Sequence, residues 1–391
     1  MSYFIDIAYN SLNKYGEELC GDKVEIVRTE DSVIIVISDG LGSGVKANIL
    51  ATLTCKIAAT MLKEGASIFE TVDTIIQTLP VCSVRKLAYS TFTIIKIHES
   101  GQVYVAEYDN PPIFLLHKGK NQTDMQNTAI LVNDRIVKES SFLMSEGDAL
   151  TVVSDGVVHA GVGGILNLGW QWGNIEEYLE RQACIEKCAA NISKSLIEAC
   201  HNLYESRPGD DATVVTVKLR QSEEVDLFTG PPLNPEDDAW IIKKLKQAKG
   251  RRVVCGGTAA KIAARELNQE IVTNMDFFDL EVPPTASIKG IDLVTEGVLT
   301  LRKTVDKIKA YINSSANREG RCSFDKLDGA SQLAKLLIED CTHLNIWVGK
   351  AVNPAHQNPD FPIDLGIKLK VVAELADLME RLGKRIQLTY I

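Results

Sequence analysis

Hydrophobic positions along the chain fall into two rhythms. From 24 to about 220, short β-branched runs alternate with helical stretches, the pattern of a mixed sheet protein rather than a regular βαβ repeat. The unbroken run 33–38 predicts a buried strand. After a turn at Gly40 to Gly44, apolar residues at helical spacing predict helices over 46–63 and 68–79. Strands are predicted at 91–97, 103–108, 113–117 and 150–154, with Asp109-Asn110-Pro111-Pro112 as a turn, and this meander implies antiparallel pairing. A helical region over 174–204 and a closing strand at 213–219 complete a layered domain of strands and helices.

Between 221 and 238 the composition turns acidic and proline-rich, with Gly230-Pro231-Pro232 and Asn234-Pro235. The boundary is placed there: a domain over 1–222, a linker over 223–237 and a C-terminal α/β domain over 238–391. The second half reads as a helix (238–248), a strand (252–255), a Gly256-Gly257-Thr258 turn, a helix (259–267) and a strand near 270–273. A short strand at 291–294, a helix at 299–311 and amphipathic helices at 329–341 and 368–382 follow, with a loop at 314–326.

Length and composition change this picture little. At 391 residues two domains are expected, and 45% hydrophobic with 24% charged residues describes an ordinary folded protein. The net charge of -10, without a long basic run, argues against nucleic-acid binding. Nine cysteines, an odd count without CxxC pairs, indicate reduced thiols rather than a disulfide framework or a zinc ribbon. Neither a secretory signal nor an uninterrupted apolar run of membrane-spanning length is read, so a cytoplasmic location away from membranes is expected.

Candidate chemistry lies in aspartates beside glycines at strand ends. Asp39 closes the run 33–38 and opens Asp39-Gly40-Leu41-Gly42-Ser43-Gly44, and Ser154-Asp155-Gly156 repeats the arrangement far downstream. Gly209-Asp210-Asp211 precedes the strand from Thr213, and Gly21-Asp22 precedes that from Val24. A lone Asp-Gly is ordinary turn chemistry. Four such settings together suggest one carboxylate cluster, and like charges so gathered call for a hard divalent cation such as Mg²⁺ or Mn²⁺. Neither a Cx5R nor a GxSxG nucleophile motif occurs, which suits hydrolysis by water activated between two ions.

Taken together, Ser38-Asp39-Gly40-Leu41-Gly42-Ser43-Gly44-Val45-Lys46-Ala47, Ser154-Asp155-Gly156 and Gly209-Asp210-Asp211-Ala212-Thr213 resemble the motifs of SpoIIE-like, PP2C-type serine/threonine protein phosphatases, over roughly residues 1–220. The resemblance implies an α+β fold, a β-sandwich flanked by helices, here followed by the smaller α/β domain. It implies two Mn²⁺ or Mg²⁺ ions held by Asp22, Asp39, Asp155, Asp210 and the Gly40 carbonyl, with Asp211 behind them. The implied substrate is a phosphoserine or phosphothreonine protein, often an anti-sigma-factor antagonist. Leu41 stands where eukaryotic members carry histidine, so leaving-group protonation falls to water or another group. The helices over 46–79 match the pair that switches metal binding in relatives.

Other features have plainer readings. Glu17 and Glu18 read as exposed loop acids, and His159 as a surface or hydrogen-bonded histidine, with a part in protonation or substrate contact as the alternative. Gly256, Gly257 and Thr258 form a tight turn with Thr258 as N-cap, or hold an anion at a helix N-terminus. The amphipathic helices of the second half suit either a ligand sensor or a homodimer interface. The rival to an enzyme is a catalytically silent module of the same fold that binds a phosphorylated partner.

Overall fold

The computed structural model describes residues 3–78, 90–122, 127–132, 135–274, 282–313, 324, 326–351 and 363–391. The expected loop at 314–326 falls outside them except for Phe324 and Lys326. The chain divides into two compact units, Met1–Gln221 and Ser222–Ile391.

Among the described residues the first unit contains two antiparallel sheets. The strands are β1 (Phe4–Leu12), β2 (Asp22–Arg28), β3 (Ser32–Gly40), β4 (Ser90–His98), β5 (Gln102–Tyr108), β6 (Phe114–His117), β7 (Lys120–Asn121), β8 (Asn127–Val132), β9 (Arg135–Leu143), β10 (Ala149–Val153) and β11 (Ala212–Arg220). One sheet has the order β2-β3-β4-β5-β9-β8 and the other β1-β11-β10-β6-β7. The helices are α1 (Gly44–Lys63), α2 (Ile68–Thr78), α3 (Asp155–Val158), α4 (Trp172–Ile185) and α5 (Ala189–Leu203).

Both faces of each sheet are covered, which explains why the central strands read as unbroken apolar runs. Ile35, Ile37, Ile95 and Val105 pack against Ile7, Val152, Val215 and Val217 between the sheets. The alternate residues Ile34 and Val36 lie beneath Cys55 and Ala58 of α1 and Val72 of α2. Val153 and Val214 of the other sheet lie beneath Ile175 of α4 and Leu196 of α5. The result is a β-sandwich with a helix pair on each outer face. By length and composition α1 is apolar enough to cross a bilayer; its Ala47, Ala51, Cys55, Ala58 and Leu62 are buried in this unit.

The helical region expected over 174–204 is two helices. At the break, the Lys218 ammonium donates to the Glu186 carbonyl (2.6 Å), and the Ala189 N–H donates to Asp6 (3.0 Å), itself ion-paired with Arg220 at 3.3 Å. These tertiary bonds stop α4 and start α5, which periodicity alone does not register.

The second unit is built on a seven-stranded sheet. Its strands are β12 (Glu224–Thr229), β13 (Arg251–Cys255), β14 (Val272–Thr273), β15 (Ala286–Ser287), β16 (Leu293–Thr295), β17 (His343–Val348) and β18 (Arg385–Tyr390), in the order β14-β15-β16-β13-β12-β17-β18. The strands from β16 to β18 in that order are parallel. The helices are α6 (Asp237–Gln247), α7 (Gly257–Leu267), α8 (Val298–Asn313), α9 (Gly329–Lys335), which runs on through a π turn at Leu336–Asp340, and α10 (Ile363–Arg381). From β12 the chain steps outward to β13 and β16, then returns to β17 and β18 on the other side, a doubly wound α/β arrangement.

This corrects the expected linker over 223–237. Glu224–Thr229 is the strand β12, paired with both β13 and β17, and its Val225, Leu227 and Phe228 are fully buried. The Pro and Asp residues around it mark the loop that follows, not a spacer between domains.

The Ile35→Ala substitution opens a hole between the two sheets and is expected to destabilise the first unit by roughly 2–5 kcal/mol. The readout is a lower denaturant midpoint for that unit's unfolding, while Lys56→Ala, on the exposed partner of Glu25, leaves the midpoint nearly unchanged.

Candidate metal centre

The carboxylates come from both sheets. Asp22 begins β2 and stands directly opposite Asp39 near the end of β3, so the antiparallel register places the pair on one face. Asp39 lies within hydrogen-bonding reach of Asp155, which opens α3 just beyond β10. Asp210 and Asp211 precede β11 in the same sheet as β10, and both press electrostatically on the cluster. The structure thus gathers Asp22, Asp39, Asp155, Asp210 and Asp211 at one end of the sandwich.

Glycines set these approaches. A Cβ on Gly40 would overlap the Ala47 carbonyl of α1, and one on Gly156 would overlap the Asp211 carbonyl. Each Asp-Gly pair therefore lets the backbone behind an aspartate pack flush against a neighbouring segment. Ser90 donates to the Asp39 carbonyl (3.0 Å), and Ser38 donates to the Thr91 carbonyl (2.8 Å), closing the end of β3. On the other sheet the Thr213 N–H donates to Ser154 (2.8 Å), and the Tyr204 hydroxyl donates to the Gly156 carbonyl (2.7 Å).

The electrostatics are unfavourable as the side chains stand. Burial pushes Asp22 up to about 7, aided by repulsion from Asp211 and Asp155 and partly offset by the Ser154 and Thr213 hydroxyls. Neither hydroxyl reaches hydrogen-bonding geometry: both Asp22 oxygens are buried and unpartnered, as is Asp211 Oδ2. Burial also pushes Asp39 up to about 10, with Asp22 and Asp155 adding to the effect. Asp210 is raised by burial and by Asp155. Asp211 Oδ1 accepts from the Lys14 N–H at 3.0 Å.

Buried carboxylate oxygens without donors are rare and costly. A hard cation answers that deficit, and a set made only of carboxylate and carbonyl oxygens suits Mg²⁺ or Mn²⁺. Among the described residues no three His, Cys, Asp or Glu side chains form a ready-made coordination shell.

Gly256, Gly257 and Thr258 lie in the second unit. Gly256, at φ +119°, precedes α7, and Gly257 and Thr258 are already helical, so Thr258 is not the N-cap. Glu17 accepts from the Ser43 hydroxyl at 3.1 Å, and His159 is exposed at the end of α3. Sequence reasoning passed over Lys14, whose ammonium stands 3.9 Å from Asp210, and Asn48, which donates to the Cys20 carbonyl at 2.8 Å. Neither residue carries a local signal; only the folded chain brings Lys14 to Asp210 and Asn48 to the Cys20 carbonyl.

Residues 29–220 match the family model described as stage II sporulation protein E (SpoIIE). No curated protein sequence matches the chain. Among solved structures, the PP2C phosphatase domain with a fragment of the regulatory domain of SpoIIE from Bacillus subtilis aligns at 21% identity and TM-score 0.47, covering 56% of this chain and 64% of that one. The RsbU and RsbW domains of a Mycobacterium tuberculosis protein align at 18% and 0.47, covering 63% and 70%. RsbX in complex with magnesium aligns at 19% and 0.40, covering 55% and 95%.

Replacing Asp22 by Asn removes a buried carboxyl whose ionised form burial and the neighbouring aspartates disfavour. The metal-free protein is expected to melt higher, by roughly 2–4 °C for each kcal/mol relieved, while the stabilisation that Mn²⁺ gives the parent protein is lost. Melting curves in EDTA and in Mn²⁺ check both halves of this expectation.

Proposed function

Because the first unit is a SpoIIE-family domain of the PP2C type, we propose that it hydrolyses phosphoserine or phosphothreonine in a protein substrate, an anti-sigma-factor antagonist being the class we favour. The observation that carries this reading is the convergence of Asp22, Asp39 and Asp155, with both Asp22 oxygens and one Asp211 oxygen buried and unpartnered. Asp22, Asp39, Asp155, Asp210 and the Gly40 carbonyl would hold a pair of Mn²⁺ or Mg²⁺ ions. When bound, such a pair supplies Lewis-acid polarisation of a phosphoryl group and an activated water.

The chain's own residues supply the frame. Asp22 and Asp39 project from neighbouring strands whose ladder fixes their separation, and Asp155 meets them from the opposite sheet. Asp211 holds the loop before β2 through the Lys14 N–H, and Lys14 leans its ammonium toward Asp210. Leu41 offers no proton to a leaving alkoxide, so protonation falls to water.

Direct attack by water fits the neighbouring side chains. Among the described residues Cys20 is a thiol beside the cluster, and burial together with Asp22 and Asp211 pushes its pKa far up, which keeps it protonated and poorly nucleophilic.

Hydrolysis of p-nitrophenyl phosphate and of a phosphoserine peptide is expected to require Mn²⁺ or Mg²⁺. Asp39→Ala or Asp155→Ala is expected to lower kcat by at least about 100-fold, beyond the 10–100-fold typical of groups that only support ligands. Steady-state rates with and without EDTA decide the matter: turnover that survives chelation, or survives in both variants, refutes the reading.

A further inference from the structure

One cation at the rim of the carboxylate cluster is held without an ionic partner among the described residues. Helix α5 ends in two consecutive left-handed residues, Glu205 (φ +50°) and Ser206 (φ +66°), neither of them glycine. Backbone bonds secure this turn: the Glu205 N–H donates to Asn202 (3.0 Å), that of Ser206 to His201 (3.0 Å) and that of Arg207 to Tyr204 (2.9 Å). Residues in that region of backbone space are kept there by their surroundings, and such strain gathers at functional sites. Here the turn delivers Arg207, three residues ahead of Asp210.

The side chain of Arg207 is braced as well. Its guanidinium lies 5.5 Å from the centroid of the Tyr15 ring, and the Tyr15 N–H donates to the Pro208 carbonyl at 2.8 Å. Tyr15 is 64% exposed, so its ring serves as a platform at the surface rather than as core packing. Arg207 is exposed, and among the described residues no carboxylate pairs with it. Its neighbour across the rim, Lys14, is already committed toward Asp210. The two cations are therefore differently placed: Lys14 stands 3.9 Å from Asp210, whereas Arg207, three residues before Asp210, lies against the ring of Tyr15, the residue after Lys14.

We propose that Arg207, stacked on Tyr15, receives a carboxylate side chain flanking the phosphorylated residue, so that the site selects acidic phosphopeptides. This rests on the phosphatase reading for what occupies the cluster. A planar guanidinium fixed over an aromatic face presents its remaining N–H groups as a fork, which matches a carboxylate in two parallel bonds with little ordering left to lose. In a chain of net charge -10, a fixed cation beside a cluster of acids also offsets the repulsion that an acidic substrate would meet on approach.

The test uses the full chain with Mn²⁺ and two phosphonate peptides that resist hydrolysis, identical except for Glu or Gln beside the phosphonate residue. The parent protein is expected to bind the Glu peptide about 10-fold more tightly at low salt, with the gap narrowing as ionic strength rises. Arg207→Ala is expected to bind both peptides alike, Arg207→Lys to recover part of the preference, and Tyr15→Leu, which keeps the charge and removes the brace, to fall between. Hydrolysis of p-nitrophenyl phosphate, which has no flanking carboxylate, is expected to be unchanged in all three variants. Equal binding of the two peptides by the parent protein, or a preference that survives in Arg207→Ala, overturns the proposal. If the parent protein turns over no phosphoester yet keeps an Arg207-dependent preference, the phosphatase reading falls and the recognition stands; turnover without preference leaves the phosphatase reading standing and removes the recognition.

Discussion

Mutual repulsion among carboxylates gathered at one end of the sandwich is the constraint around which the first unit is organised. Asp22 and Asp39 face each other across a strand pair, Asp155 arrives from the second sheet, and Asp211 lies close behind with one oxygen unpartnered. Burial disfavours the charged forms of Asp22 and Asp39, and the neighbouring carboxylates compound the penalty. A fold that tolerates this must hold its backbone rigidly, and the sandwich does so with two sheets, each covered on both faces. The apolar interior supplies the stability that the acidic end consumes.

The same geometry explains the glycines. Gly40 and Gly156 are demanded by the segments packed against them, the Ala47 carbonyl for one and the Asp211 carbonyl for the other. In each case the missing side chain lets an aspartate at a strand end sit beside a neighbour from another element. Packing and chemistry thus select the same dipeptide. The hydroxyls of Ser38, Ser90, Ser154 and Tyr204 then tie the backbone around the acids.

The second unit follows a different logic. Its parallel strands are joined by helical crossovers, and the central strand β12 is the first element after the boundary. Gly256 lies at the carboxyl edge of that sheet, before α7, where doubly wound folds commonly take ligands. Helix α7 opens without a side-chain cap, because glycine occupies the position where Ser, Thr, Asp or Asn would serve.

By itself the sequence determined which segments are buried on both faces, since runs such as Val33 to Ser38 leave no polar side for solvent, and it marked Asp39 and Asp155 because glycine follows each at the end of an apolar run. It also carried the motif order of the family. Tertiary structure decided that Asp22 opposes Asp39, through a strand register that no local pattern encodes, and it brought Lys14, Tyr15 and Arg207 to the rim from opposite ends of the unit. It likewise turned the acidic, proline-flanked stretch after Gln221 into the central strand β12. The physical reason is the same throughout: periodicity reports which face of a segment is apolar, whereas pairing partners, caps and charge clusters depend on residues far apart in the chain, which meet only when the sheets close.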